Sequence, residues 1–535
     1  MAQRAGSEDM TQVSKILFSD RVQSLITLIE ESTRASQITS KYFIEPAPGV
    51  LSRANSRRHH IVFGRRGSGK SSLLNKIHAE NLAARTPSVF VDLEKFKGHI
   101  YPDLLVSVLI ETFSSFVEWL ENAGVAPATK KKFWEHITSL SPQPRKAAIS
   151  DTERLAAKIK EEIRALNELL LQEESVRSED TFDQKAASNN KLSASVEAKA
   201  AHIKGSLTGE DAESREIASQ KKRSYETSKH QTLQRNILRY KDIFTEIKSV
   251  SSAEVFLIFD DLYHIVRSDQ ADVIDYFHKI AKGGSFWLKI GTVRHRTSHY
   301  RNGNPPVGVK LSDDVDSIDL DVTLEKYATT KRFLFEILDG FAKTHELQVS
   351  EVLTDGARDR LVLASGGVAR DFLSLFRNSI SEARERLNAG KDNRGERVTA
   401  EDVNRASGRY YDDKLQELNR DTTSEERLSV EHEIERIRTF CFDKSNANII
   451  LIEKDRTGNS RNVIGELVDL KIIHQIRSGV TVSKRQGERF DAFMLDFSFY
   501  TGDRTKRKFE VVDFWMPSTR DDVIRKLGFI YDPAE

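Results

Sequence analysis

Apolar positions along the chain follow two rhythms. Short runs with little internal alternation, His60–Phe63, SVFVDLE from Ser88, VFLIFDD from Val255 and SFWLKIGT from Ser285, read as strands buried on both faces of a parallel sheet. A shorter strand is expected around Ser317–Leu320. Between the runs, Ser71–Ala84, Tyr101 to about Glu121, Asp269–Lys282 and Leu324–His345 carry apolar residues at helical spacing. Strands alternating with helices predict an α/β fold with a parallel-sheet core over 51–328. Upstream, Ile16, Leu17, Val22, Leu25, Ile26 and Leu28 make a helical lead-in over 1–50 that breaks at Pro46 and Pro48.

About 130 residues lie between the helix ending near Glu121 and VFLIFDD, far beyond the usual connection inside a compact domain. The region 126–250 therefore reads as an insert. Leu155, Ile159, Ile163, Leu166 and Leu170 form one coiled-coil-like seam, and Leu233, Ile237, Tyr240 and Phe244 form a second. The two arms are expected to pair antiparallel as a helical hairpin. The stretch between them, rich in Ser, Ala, Lys and Glu, is either its tip or disordered. After the core, 329–410 reads as a helical lid. In 411–535, a helix through Ser460–Leu470 precedes two alternating strands, GVTVS and RFDAFMLDFSFY, around KRQGE, which predicts a winged-helix-like module.

Composition narrows the class. A chain of 535 residues is too long for one core, since cores stop growing at about 250–300 residues. A net charge of +1 argues against a wholly basic nucleic-acid coat and leaves local patches open. The single cysteine, Cys441, excludes an intramolecular disulfide; with no apolar run of membrane-spanning length, a cytoplasmic protein with no membrane partner is expected.

The chemistry concentrates at GRRGSGKSS. Gly64–Ser71 fits G-x-x-x-x-G-K-[ST] with a strand before it and a helix after it, the context in which such a loop wraps phosphates. Gly64, Arg65, Arg66, Gly67, Ser68, Gly69, Lys70, Ser71 and Ser72 are the expected nucleotide contacts. Lys70 would reach the β- and γ-phosphates of ATP, and Ser71 would offer its hydroxyl to Mg²⁺. The second half of such a site needs an acid at the end of a buried strand, because Mg²⁺ takes hard oxygen ligands. VFLIFDD supplies Asp260 for the metal and Asp261 for the attacking water; Asp261 as a helix cap or an arginine's partner is the alternative.

These motifs, with WLKIGT, GGVARD and VTAEDVNRA, resemble the AAA+ P-loop ATPases, closest to the origin-recognition and initiator clade and akin to the STAND signalling ATPases. The resemblance covers the chain from about Leu51 onward, apart from the insert. It implies a γ-phosphate sensor at Thr292, a nucleotide contact from the lid at Arg370, and an arginine acting on a neighbouring subunit's nucleotide at Arg294 or Arg296. It also implies a homo-oligomer. Three departures stand out: Asp-Asp replaces Asp-Glu, which predicts slow hydrolysis; Arg294 and Arg296 follow the sensor strand at once, as arginines acting in trans or as ordinary loop charges; and the long insert is unusual. Rad50-type ATPases carry a comparable insert, but here LASGG follows the acidic strand where theirs precedes it.

Two partners stay open. Arg461 and Arg477 flanking the expected recognition helix, Lys484, Arg485 and Arg489 on the wing, and DRTKRK over Asp503–Lys508 suit duplex DNA. The charged insert instead suits a separate effector protein, as in STAND-like defence ATPases.

Overall fold

The computed structural model describes residues 16–33, 36, 39–125, 151–171, 209–390, 394–421, 424–454, 459–482, 485–502, 508–516 and 523–533. The tip of the insert, Lys484 and residues 503–507 lie outside them.

Helices α1 (Asp20–Ser32) and α2 (Val50–Ala54) precede β1 (His60–Phe63), α3 (Lys70–Ala83) and β2 (Ser88–Asp92). Then come α4 (Asp103–Val125), α5 (151–171) and α6 (Gly209–Ser251), followed by β3 (Phe256–Asp260), α7 (Arg267–Ala281) and β4 (Trp287–Thr292). A two-residue ribbon, β5 (Tyr300–Arg301) with β6 (Val307–Gly308), precedes β7 (Asp316–Asp319).

Five strands form one parallel sheet in the order β2-β3-β4-β1-β7. Its uniformly apolar strands have helices on both faces. Ile61 and Phe63 of β1 and Leu257 and Phe259 of β3 point into the cluster made with α4, α5, α6 and α7. Val62 and Ile258, one residue out of phase, point into the cluster made with Leu73, Leu74 and Ile77 of α3. That phase carries the chain from β1 straight into α3, so the glycine loop opens at the sheet's C-terminal edge.

Both arms of the insert are helical where described, and they run antiparallel. Lys158 pairs with Glu246 at 2.5 Å, while Glu162, four residues on, pairs with the earlier Arg239. The two seams close over α4, with Phe244 against Phe113 and Phe116 at ring-centroid distances of 5.9 and 5.5 Å. The base of the insert is therefore part of the sheet's own core.

Beyond β7 the chain forms α8 (Tyr327–Lys343), α9 (Val349–Val352), α10 (Asp355–Ala364), α11 (Ala369–Ala389), α12 (Ala400–Asp421) and α13 (Ser424–Thr439). A three-stranded antiparallel sheet follows, β8 (Ile449–Glu453), β9 (Ile473–Val482) and β10 (Arg485–Leu495), in the order β8-β10-β9, with α14 (Asn459–Asp469) between β8 and β9. The run IILI of β8 is a strand that the sequence analysis did not identify, and β9 begins six residues before GVTVS. The lead-in, lid and tail, read as separate pieces, share one apolar cluster: Leu25 and Ile29 of α1 meet Leu338 of α8 and Phe376 of α11, and the cluster continues to Ile450 and Phe490. Among the described residues no helix is long and apolar enough to cross a membrane.

Candidate active site

The glycine loop, the ends of β2 and β3 and the first turn of α11 enclose a cavity of about 480 Å³, a size usual for small-ligand sites. Gly67 and Gly69 hold φ of 86° and 100°, the left-handed conformation that lets the loop turn its backbone N–H groups inward. The loop ends on the N-terminus of α3, where the exposed N–H groups and the helix dipole favour an anion. Arg66, Gly67, Ser68, Gly69, Lys70, Ser71 and Ser72 all line the cavity. Ser68 Oγ is buried there without a hydrogen-bond partner, a donor left over for an anion.

Lys70 is buried, and its ammonium donates to the carbonyls of Gly64 (2.8 Å) and Arg65 (3.1 Å). Burial lowers its pKa, while the charges of Asp261, Asp260 and Asp321 oppose the fall. Across the cavity, Asp260 ends β3. Its Oδ1 accepts the Asp261 N–H at 2.9 Å, and Ser71 lines the same cavity. Burial first and Asp261 second push its carboxyl up to about 7, opposed by Ser71 and Lys70. Gly291 on β4 makes this possible, since a Cβ there would overlap Asp260 Oδ1 and Leu74. Ser71 and Asp260 are thus paired oxygen donors of the kind that hold Mg²⁺ beside a phosphate.

The lid reaches the loop directly. The Arg370 N–H at the start of α11 donates to the Gly67 carbonyl at 3.2 Å, and its side chain lines the cavity. A Cβ at Gly67 would collide with Arg370, so GSGK and GGVARD are matched surfaces.

Of the expected residues, Gly64, Arg65, Thr292, Arg294 and Arg296 do not line the cavity, the last two being expected at a neighbouring subunit's nucleotide. Arg65 turns away from the cavity: its guanidinium donates to Asp321 Oδ1 (3.3 Å), Val322 O (3.0 Å), Gly366 O (3.1 Å) and His474 Nδ1 (3.4 Å). Arg65 is buried behind the loop, on the side away from the cavity. Thr292 is buried at the end of β4 with its hydroxyl on that of Thr297 at 2.6 Å, so it does not line the cavity. Arg294 is exposed on the same loop, paired with Asp319 at 2.9 Å and lying over the Phe63 ring, and Arg296 is half-buried beside it; neither lines the cavity.

The His474 that meets Arg65 belongs to β9, in the tail. Since Arg65 donates to Nδ1, the imidazole carries its proton on Nε2 and donates it to Asp496 Oδ2 at 2.7 Å. Asp496 is paired in turn with Lys414 of α12 at 2.5 Å. A second buried bridge, Lys471 to Asp371 at 3.2 Å, joins the tail to the residue after Arg370. The phosphate loop and the tail are therefore linked by buried, paired charges.

The sequence analysis passed over Asp92, Glu94 and Tyr263, which also line the cavity. The signal was present in SVFVDLE, whose acids end a buried strand as those of VFLIFDD do.

No family model matches the chain, and no curated protein matches it. A solved structure, the Walker-type ATPase paby2304 of Pyrococcus abyssi, aligns over 84% of this chain and 92% of its own at 12% identity, with a TM-score of 0.38. A likeness of that size carries no argument, and the chemistry rests on the residues just described.

Proposed function

We propose that this chain binds ATP with Mg²⁺ at the Gly64–Ser72 loop, hydrolyses it slowly, and uses the bound nucleotide to set the arrangement of lid and tail. One observation carries the reading: a positive-φ glycine loop at a helix N-terminus faces a Ser71–Asp260 oxygen pair across one cavity. Lys70 and the loop N–H groups would neutralise phosphate charge, Arg370 would report the nucleotide to the lid, and Mg²⁺ would supply charge stabilisation between Ser71 and Asp260. Asp260→Asn is expected to lower Mg²⁺-dependent ATP turnover by at least about tenfold while Mg²⁺-free ATP binding persists, read by calorimetry and phosphate release; equal Mg²⁺ dependence in both proteins would remove the metal assignment.

Self-association, with Arg294 or Arg296 completing a neighbour's site, belongs to the same proposal. For the partner, the helix-strand-helix-strand-strand order of the tail supports a winged helix acting on duplex DNA. However, α14 is turned towards the core. Gly465 packs on the His295 ring, Asp469 accepts the His295 N–H at 3.0 Å, and Glu466 lies 3.9 Å from Arg267. On the wing, Arg485 is paired with Glu488 at 3.1 Å. Meanwhile Leu238 and Leu171 stand 72% and 55% exposed on the paired insert helices. These observations favour the second reading, a separate protein bound through the insert. Steady-state hydrolysis at moderate salt is expected to be indifferent to duplex DNA; stimulation that disappears in Arg485→Glu would restore the DNA reading.

A further inference from the structure

At the cavity wall, where Glu94 and Asp261 line it, a second set of side chains converges with His264. Glu94 follows β2, whose Asp92 is in register with Asp260 of β3, so the two strand ends lie side by side. The chain then turns sharply at Asp261, which adopts a left-handed conformation (φ 55°, ψ 41°) and brings His264 back beneath the strand ends. One side-chain donor or acceptor atom from each of Glu94, Asp261 and His264 lies within 4.8 Å of the other two. The His264 side chain is 94% buried, yet its Nε2 has no hydrogen-bond partner and points at Glu94 Oε1, 3.9 Å away. A buried imidazole nitrogen left without a partner is destabilising unless something occupies the gap.

The spacing decides what occupies it. A divalent cation with ligands at about 2.1 Å draws neighbouring donor atoms to about 3.0–3.4 Å from one another. A water molecule hydrogen-bonded at about 2.8 Å to two groups 3.9 Å apart subtends an angle of about 90° and fits without movement. We infer that Glu94 is the carboxylate that takes the proton of the attacking water, with His264 and Asp261 holding that water; this rests on the ATP-hydrolysis reading. The base then stands in the turn just beyond the strand beside the acidic one, which accounts for a chain that has Asp-Asp where Asp-Glu is expected.

Two further features separate Glu94 from Asp261. Glu94 reaches one methylene further, and its side chain is 51% exposed, so it can pass a proton on to solvent. Asp261 is the shorter and more buried of the two carboxylates, without that reach towards solvent. In the step itself, the water oxygen bonds to the γ-phosphorus and the bond from that phosphorus to the β,γ-bridging oxygen breaks. Its electron pair leaves with ADP. One water proton goes to Glu94 and from there to solvent, leaving inorganic phosphate.

The test is single-turnover hydrolysis of ATP·Mg²⁺ by the full chain alongside calorimetric ATP binding, for wild type, Glu94→Gln, Glu94→Asp and Asp261→Asn. Glu94→Gln is expected to bind ATP within about twofold of wild type and to lose turnover by about 10²–10³-fold, with Glu94→Asp recovering part of it. Because Glu94 is half-exposed, the thermal midpoint of Glu94→Gln is expected to stay at the wild-type value, which separates lost chemistry from lost structure. Turnover in Glu94→Gln equal to wild type, or a greater loss in Asp261→Asn, overturns the assignment. Wild type that binds ATP without hydrolysing it overturns the hydrolysis reading on which this inference rests, and wild type that fails to bind ATP overturns the nucleotide site itself; hydrolysis by wild type that Glu94→Gln retains in full overturns this inference alone.

Discussion

Lys70→Ala is expected to weaken ATP·Mg²⁺ binding by at least about 100-fold and to bring turnover to background. Lys70 is 4% exposed at the cavity wall, and charge-assisted hydrogen bonds to phosphate oxygens in such a site are worth about 1.5–3 kcal/mol each in differential binding. The loss exceeds one hydrogen bond because Lys70 sits between the loop and two carboxylates. With the cation gone, Asp260 and Asp261 face the incoming phosphates with their repulsion less compensated. The folded state should suffer little, since the substitution deletes a buried charge together with its two hydrogen bonds to carbonyls of the loop's own start. Isothermal titration with ATP·Mg²⁺, beside a thermal melt, reads both quantities. A variant with wild-type affinity would falsify the placement of the triphosphate on this loop.

What made the sheet and loop legible was local. His60–Phe63, VFLIFDD and WLKIGT are short apolar runs closed by glycine or aspartate, which suits strands covered on both faces, and the spacing of Gly64, Gly69 and Lys70 fits the turn between a strand and a helix. Seams in the insert were equally readable, because Leu155, Ile159, Leu166, Leu233, Tyr240 and Phe244 are the residues buried against α4 and the sheet. Long-range information was not legible. Nothing in GRRGSGK distinguishes Arg65, whose guanidinium runs to a histidine 409 positions away, from Arg66, which lines the cavity. Glu94 was hidden for the same reason. Its strand is distant in sequence from VFLIFDD, and only the pairing of β2 with β3 sets the two acids together. The strand β8 escaped notice because IILI, a short apolar run, carries no period that separates strand from helix.

The second large effect concerns the link between loop and tail. Lys414→Met is expected to lower the stability of the lid and tail by about 3–5 kcal/mol, because it strips the ammonium partner from a buried carboxylate. Asp496 is 1% exposed at its side chain and would keep only the His474 N–H at 2.7 Å, the Ser498 N–H at 3.0 Å and the Ser498 hydroxyl. The same pair sets an acid limit. Burial holds the His474 imidazole down to about 4 against an ordinary value near 6.5, so between those pH values the unfolded chain binds a proton that the folded chain does not. Lys414 and His474 hold Asp496 well below the usual carboxylate range despite its burial, so its contribution is present above about pH 4 and is lost as the pH falls further. Both shifts have one sign: stability declines on acidification, first through His474 and then through Asp496. His59 and His78, each also held near 4, share the upper window, so the wild-type slope is a sum. Urea midpoints at pH 7.5 and pH 5 for wild type and His474→Gln isolate one share, and the variant is expected to lose less stability over that interval. Equal losses in both proteins would mean that His474 titrates alike in the folded and unfolded chains, and that the Arg65–His474–Asp496 link is open to water.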